Sequence, residues 1–326
     1  MSVLMPRFDI TIAGELNLDL ILYGLPEELP PERELLAERM MLTLGGSSTI
    51  VAHNLAALGR RVGFVSLIGD DPLGKIALGH LQESGVDITR VRTGRSGSQT
   101  GLTVVLQRDK WRNMVTYAGT IAELSYEDLD FEYLSDSKHF HFSSYFLQNN
   151  LRPHTVELFR RLKEAGLTTS LDTNDDPEDS WQGLEPLWPY VDILLPNGRE
   201  ARKIAGIDDL EEAVKRLAEK VPLVVVKLGE DGSLAQRGSE RFRSSATRVS
   251  PVDAVGAGDS FDAGFLSQYI LGADLSTCLN AGNLAGALST TRPGGVEAFR
   301  DQQYREQFFR EQGELLRSST VRQTPS

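Results

Sequence analysis

From residue 138 to residue 229 the chain alternates short apolar runs with amphipathic stretches of helical length, and this rhythm restricts the fold more than any other feature. "KHFHFSSYFL" is followed by the helical "HTVELFRRLKEAG", the strand-like "TTSLDTN" and "VDILLPN", the helical "GREARKIAG" and "LEEAVKRLAEK", and the strand-like "PLVVVKLG". Strands joined through helices of this length require right-handed crossovers and a mainly parallel sheet. The same reading holds upstream, where "STIVAHNLAALG" stops at Gly59, "RVGFVSLIG" is a strand and "LGKIALGHLQESG" is a helix ending in Gly85.

Two regions break the rhythm. Residues 26 to 44 are acidic and proline-bearing, and they read as an inserted lid or edge hairpin. "TGLTVVLQR" and "NMVTYAG" read as a hairpin around a charged "DKWRN" turn. Lid segments are therefore expected over roughly 15–40 and 90–120, within one domain over 1–316, with a frayed tail over 317–326. "FDITIAGELNLDLIL" reads as a strand ending near Gly14, then a polar segment bearing Asn17 and Asp19 at the strand end where α/β proteins bind ligands. "GSLAQRGSERFRSS" is hairpin-like, and "LSTCLNAGNLAGALSTT" is a helix of small residues.

A formal charge of −12 argues against nucleic acid or an anionic membrane as partner, because both reward clustered Lys and Arg. The lone Cys278 cannot form an intrachain disulfide, and the five histidines show no zinc-ligand spacing. With no run resembling a signal peptide or a membrane span, a cytoplasmic protein with a small soluble ligand is expected.

The chemistry concentrates in "VDAVGAGDSFDAGFL", residues 252 to 266. It resembles a dinucleotide fingerprint through Gly256 and Gly258, but Phe261 stands where the third glycine belongs. "GDDPLGKI" at 69–76 nearly matches a phosphate loop and fails at Ile76, where a hydroxyl must meet Mg²⁺. The reading that uses every residue of the 252–266 stretch has the amides of Gly256, Ala257 and Gly258 converge at a helix start as a site for negative charge. Asp259 would then be a general base taking a proton from a hydroxyl while the amides hold a phosphoryl group. A helix cap after a glycine turn explains Asp259 equally well on spacing alone.

Three other stretches carry paired readings. Asn197 and Glu200, one turn apart in "LLPNGRE", can orient water around Mg²⁺ or form an N-cap with its N3 carboxylate. Lys227, Gly229 and Gly232 in "VVVKLGEDG" can let a backbone lie close to a nucleotide or make a plain turn. "GGSSTI" can cradle a polyhydroxyl ligand through Ser47, Ser48 and Thr49, or simply start a helix.

Together these stretches resemble the ribokinase-like, or PfkB, carbohydrate kinases, from about Asp9 to about Gly295. The elements that carry the resemblance are "DAVGAGDSFDAGF", "PNGRE", "KLGEDG", the Gly45–Gly46 pair and "GDDPLG", in that family's order. The resemblance implies a three-layer αβα sandwich with a central, mostly parallel sheet and a small β lid, and transfer of the ATP γ-phosphate to a sugar hydroxyl with Mg²⁺. It assigns Asp259 as catalytic base and the amides of residues 256–258 as anion hole. It puts Asn197 and Glu200 near Mg²⁺ and phosphate, Lys227, Gly229, Gly232 and Asn283 on the nucleotide side, and Asn17, Asp19, Gly45, Gly46 and Thr49 on the sugar side. Members often hold a monovalent cation such as K⁺, here through Asp253 and the "TTRPGG" loop, and a homodimer through the lid is an expected partner arrangement.

This sequence departs from the family pattern at Ala254, where Thr is common, and at Ile50, where ribokinase has an Asn that grips ribose. An isoleucine offers no hydrogen bond, so ribose is disfavoured. "LDTNDDPEDSW" resembles a segment of 2-keto-3-deoxygluconate kinases and fructokinases but lacks their Arg, leaving Arg108 or Arg112 of the lid to meet an acidic sugar. A nucleoside kinase with an aromatic platform near Thr49, Ile50 and Ser143, a catalytically silent sugar sensor and a Rossmann dehydrogenase are the rival readings.

Overall fold

The computed structural model describes residues 5–108 and 111–321. Its strands are β1 (Phe8–Ala13), β2 (Asn17–Tyr23), β3 (Arg39–Gly45), β4 (Val62–Ile68), β5 (Asp87–Thr93), β6 (Leu102–Gln107), β7 (Arg112–Tyr117), β8 (Ser137–Ser143), β9 (Thr168–Asp172), β10 (Ile193–Leu194), β11 (Leu223–Lys227), β12 (Ser233–Arg237) and β13 (Glu240–Ser244). The helices are α1 (Ser47–Ala57), α2 (Pro72–Glu83), α3 (Phe131–Ser135), α4 (Thr155–Glu164), α5 (Gly198–Ala205), α6 (Leu210–Ala218), α7 (Ala257–Tyr269), α8 (Leu275–Thr290), α9 (Glu297–Arg300) and α10 (Gln302–Val321).

Nine strands form one sheet in the order β13-β12-β11-β10-β9-β8-β1-β4-β5. Pairing is parallel from β11 through to β5, and the β12–β13 hairpin adds an antiparallel edge. Successive residues of the buried strands supply opposite faces, as a period of two requires. Val224 and Val226 pack with Leu158, Phe159 and Leu162 of α4 and Val214 and Leu217 of α6. Leu223 and Val225 pack with Val51 and Leu55 of α1, Phe265 of α7 and Leu279 of α8. The result is the expected three layers. At about 1.5–3 kcal/mol per fully buried large apolar side chain, these two faces supply most of the folding drive.

α7 and α8 approach closely because small residues face each other. A Cβ on Gly264 would meet the Ala281 carbonyl at 2.4 Å, and one on Gly282 would meet the Phe261 ring at 2.7 Å. Phe261, which spoils the dinucleotide fingerprint, is thus a packing residue between these helices.

The lid is a second sheet, β3-β2-β6-β7. Residues 17–23 lie in the lid as expected, but its detail differs from the sequence reading in two ways. The polar segment with Asn17 and Asp19 is itself the lid strand β2, paired to β3 and β6. Residues 90–93, expected in the lid, belong to β5 on the edge of the main sheet. The β6–β7 hairpin forms as expected, although Asp109 and Lys110 of its turn lie outside the described residues. Likewise α10 continues to Val321, and residues 322–326 of the expected frayed tail lie outside the described residues.

Candidate active site

The N-termini of α2, α5, α6 and α8 are capped by Asp71, Asn197, Asp209 and Asp274, each accepting a backbone N–H. α7 is different: its N-cap is Gly256, in the left-handed conformation at φ 69°, with no side chain to accept from the first-turn amides. A Cβ there would sit 2.6 Å from Gly295 Cα, so only glycine allows the 292–295 loop to close over this helix end. The unsatisfied donors and the helix dipole favour an anion here.

Asp259 sits in the first turn of α7 and is buried. It does not cap its own helix; its Oδ1 accepts from Asn174 Nδ2 at 3.4 Å. Burial pushes its carboxyl above the ordinary range, the Asp172 charge adds to this, and Lys227, Ser47 and Asn174 oppose it. A buried carboxylate with a raised proton affinity is better placed to take a proton than an ordinary one.

One turn along, Asp262 joins a buried charge cluster. Lys227 Nζ at the end of β11 donates to Asp172 Oδ2 at 2.6 Å and to Asp262 Oδ2 at 3.1 Å. Burial is the largest influence on Asp172 and would lift it, but Lys227 together with hydrogen bonds from Asp262 and the Asn174 amide holds it below its usual value, whereas burial lifts Asp262 well above. Burial lowers the affinity of Lys227 for its proton, but Asp172, Asp262 and Glu200 more than compensate, so it stays charged. Asn174, at φ 53°, bridges this cluster to Asp259 by also donating from Nδ2 to Asp172 Oδ2. Lys227 therefore points into the cluster beneath Asp259, beside Gly258, whose Cβ would lie 3.7 Å from the lysine chain.

Asn197 and Glu200 form a complete capping box: Asn197 Oδ1 accepts from the Arg199 and Glu200 amides, and Glu200 Oε2 accepts from the Asn197 amide at 2.8 Å. Glu200 is buried, and desolvation, with Asp172 next in size, pushes it up to about 7. It faces the same cluster, so the box and an ion-facing carboxylate coexist. Among the described residues there is no group of three or more His, Cys, Asp or Glu able to hold a metal by themselves. A Mg²⁺ bound mostly by water and phosphate oxygens fits this sparse carboxylate supply.

On the far side of β11, Gly229 opens a turn at φ 60°, and Gly232, at φ 88°, lies against residues 244–246, its Cβ direction blocked by the Ser244 carbonyl. Asn283 of α8 donates from Nδ2 to the Ser244 and Ser245 carbonyls at 3.3 and 3.1 Å. Gly232 and Asn283 thus converge on one segment, while Gly229 borders it.

Across from Asp259 stands the lid. A Cβ on Gly45 would meet Asp19 Oδ1 at 2.0 Å, and one on Gly46 would meet Asn17 Oδ1 at 2.2 Å, so the glycine pair exists to let the β3–α1 turn close on these two side chains. Asp19 is pushed up to about 7 by burial first and then by the charges of Asp259, Asp253 and Glu15, with Arg112 opposing. Buried Asn17 Oδ1 has no donor among the described residues.

A family model described as "pfkB family carbohydrate kinase" matches residues 7–302. The chain belongs to the PfkB family. It is an ATP-dependent carbohydrate kinase, like the relatives it resembles. It is 30% identical over 282 residues to the 2-dehydro-3-deoxygalactonokinase of Haloferax volcanii, covering 82% of this chain and 88% of the relative. It is 29% identical over 299 residues to an ATP-dependent 6-phosphofructokinase of Thermoanaerobacterium thermosaccharolyticum, covering 89% and 90%. The crystal structure of adenosine kinase from Sinorhizobium meliloti superposes with a TM-score of 0.80 at 26% identity, covering 92% and 99%.

Within this PfkB site, part of the sugar-side reading needs correction. Thr49 is fully buried and its hydroxyl donates to the Glu15 carbonyl at 2.6 Å, and Ser48 gives both its amide and its hydroxyl to the Glu15 carboxylate. Both are spent inside the protein: Thr49 on a backbone carbonyl, and Ser48, with Ser144 Oγ, on the Glu15 carboxylate, which is buried just past the end of β1 and is satisfied by neutral donors. Only Ser47, beside Asp259, keeps the role suggested for the trio. Ile50 packs beneath Gly256 and Gly295, its Cδ1 lying 3.0 and 2.7 Å from their Cβ directions. Thr49, Ile50 and Ser143 are all buried, so they frame no slot for a base.

Asp253 also differs from a free cation ligand. Its Oδ2 accepts from Tyr23 OH at 2.6 Å and the Gly294 amide at 3.1 Å, and its Oδ1 from the Val255 amide at 2.9 Å. Both carboxylate oxygens already have protein donors, and Tyr23 latches the lid to the signature loop. Arg108 is tied to the Glu27 carbonyl at 2.7 Å and to Asn113, whereas Arg112 is exposed and its charge acts on Asp19.

The sequence reading missed Asp172, Asn174, Asp262, Glu15 and Asn54. Asn54 Nδ2 donates to Ser260 Oγ and the Gly295 carbonyl, both at 3.0 Å, clasping α1 to the helix start and to its covering loop. Asp262 was signalled by its three-residue spacing from Asp259, and Asp172 by its place at a strand end; nothing local marked Asn54.

Proposed function

We propose that this kinase transfers the γ-phosphoryl group of ATP to a hydroxyl of a small sugar or sugar acid, with Asp259 as general base. The observation that supports this best is the buried, proton-avid Asp259 beside an uncapped helix start, facing the Asn17–Asp19 side of the lid. As the substrate oxygen attacks phosphorus, the bond to the ADP oxygen breaks and the hydroxyl proton passes to Asp259. The amides of Gly256, Ala257 and Gly258 carry the charge developing on the phosphoryl oxygens. Glu200 and Asn197 would hold Mg²⁺, which when bound would supply further charge neutralisation. Gly229, Gly232 and Asn283 border the nucleotide, and Lys227 holds Asp172 ionised, the charge of which helps keep the proton affinity of Asp259 raised. Asn17 and Asp19 bind the sugar, and the lid excludes water.

Arg112, not Arg108, is the lid cation we assign to an acidic sugar, in keeping with the sugar-acid kinases among the relatives. A homodimer through the lid would cover the exposed Met40, Met114 and Val115. The second reading, a nucleoside kinase, rests on the likeness to the adenosine kinase structure.

A coupled ADP-release screen over sugars, sugar acids and nucleosides, with and without K⁺, separates these readings. On the substrate found, Asp259→Asn is expected to lower kcat by roughly 10²–10⁴-fold while ATP still binds. Near-normal turnover by that variant refutes the assignment.

A further inference from the structure

A second polar cavity of about 620 Å³ lies away from the catalytic cleft, and it has the volume of a small-ligand site. It opens at the C-terminal end of α1, by Ala56 and Ala57, whereas Ser47 at the other end of that helix is the residue beside Asp259. An 11-residue helix separates the two by about 15 Å.

Three guanidinium groups line this cavity, in a protein whose net charge is −12. Arg292 pairs with Asp301 at 2.9 Å, and Arg300 with Glu83 at 3.1 Å and Glu297 at 3.2 Å. Glu83 and Asp301 are themselves largely solvent-facing, so these pairs are weak and exchangeable. Arg305 is half-buried and has no carboxylate partner among the described residues; it donates only to the Phe299 carbonyl. Asp301 and Glu306 act on it only through space, so its charge is incompletely paired, and five donors on each guanidinium leave most N–H groups available.

The fourth wall is His53, which is 2% exposed. Asn54 spends its Nδ2 on Ser260 and Gly295, so the atom it turns to His53 Nδ1, at 2.9 Å, is its acceptor oxygen. This fixes the proton on Nδ1 and leaves Nε2 as a lone-pair acceptor with no protein partner among the described residues. Burial, reinforced by the charges of Arg300 and Arg305, holds the imidazole down to about 4, so it is neutral at neutral pH.

Three cationic forks beside one neutral acceptor match a ligand that offers an anion and a hydroxyl together. We infer that this cavity binds a phosphorylated, hydroxyl-bearing metabolite, of the sugar-phosphate class, at a site separate from the catalytic cleft. The phosphate meets Arg305 and displaces the surface carboxylates from Arg292 and Arg300, and a ligand hydroxyl donates to His53 Nε2. The walls also touch the catalytic machinery: Asn54, bonded to His53, holds the Gly295 carbonyl, and Glu297, paired to Arg300, accepts from Thr43 Oγ1 of β3 at 2.8 Å.

Isothermal titration of the intact protein with ribose 5-phosphate, and with ribose as the uncharged control, tests this. Two variants remote from the cleft are compared: Arg305→Gln, and Ser84→Glu, which keeps every arginine and adds a carboxylate to the wall. The wild type is expected to bind ribose 5-phosphate, and each variant to bind it roughly tenfold or more weakly, with the response to ribose unchanged. A weakening confined to Arg305→Gln would reflect damage to the fold and overturns the inference. So does wild-type affinity in both variants, which would put the probe in the catalytic cleft, and so does absence of binding by the wild type. Because the readout is binding, it stands or falls independently of the phosphoryl-transfer assignment.

Discussion

Replacing Lys227 by methionine isolates the energetics of the cluster beneath Asp259. The lysine lies 2.6 Å from one carboxylate oxygen and 3.1 Å from another, with side-chain exposures of 11% for Lys227, 1% for Asp172 and 0% for Asp262. At an effective dielectric of about 20 the shorter separation corresponds to a gross attraction of about 6 kcal/mol, most of which offsets the desolvation of the Lys227 and Asp172 charges, while Asp262, lifted well above its usual value, is the weaker partner. Removing one partner of such a pair costs about 3–5 kcal/mol, because the acids remain buried without compensation. Against a total stability of about 5–15 kcal/mol the variant should still fold, with a markedly lower urea midpoint.

The pH dependence follows from the shifts. Asp172 is depressed in the folded wild type, so its contribution is present above its unfolded value of 3.8 and is lost as pH falls through the folded value. Lys227 is raised, so its contribution is complete below its unfolded value of 10.5. At pH 8 the pair therefore contributes fully, and the variant's deficit is largest. By pH 5 the orphaned acids, raised by burial, have taken up protons, and the deficit shrinks by about 1–3 kcal/mol. Urea titrations of both proteins at pH 8 and pH 5 measure this directly. A loss below about 1 kcal/mol at pH 8, or a deficit that grows on acidification, refutes the cluster as the source.

Two further perturbations probe the lid. Asp19 binds its proton more tightly in the folded chain, at about 7 against 3.8, so wild-type stability should fall as pH rises across that window. Asp19→Asn is then expected to be more stable than wild type at pH 8, by up to about 4 kcal/mol, and equal to it near pH 4, as read from urea midpoints. Tyr23→Phe removes a donor from buried Asp253 and should cost about 1–3 kcal/mol in the same assay, with faster proteolysis of the lid.

Much of the main sheet was legible because its code is local. A strand such as "LVVV", buried on both faces, must be apolar throughout, and the helices between strands must stop where glycine or a polar cap permits. The candidate catalytic stretch has a local basis too: Gly256 is required by its own φ and by the close approach of Gly295, and Asp259 lies in the first turn of the helix that follows. The lid boundary was less legible. Asn17 and Asp19 look like loop residues, and they are strand residues because Gly45 and Thr43 of β3 pair with them from 28 and 24 positions away and Thr103 of β6 pairs with Asp19 from 84.

The chain order thus determined the parallel sheet, the uncapped start of α7 and the acid in its first turn, since each rests on periodicity or on backbone conformations that few residues can adopt. The tertiary structure decided the electrostatics. Whether Lys227 meets a nucleotide or two acids, whether Thr49 faces a pocket or a carbonyl, and whether Arg305 finds a counter-charge all depend on which distant side chains share a buried volume. Burial sets the strength of a charge's interactions, and no sequence spacing encodes it.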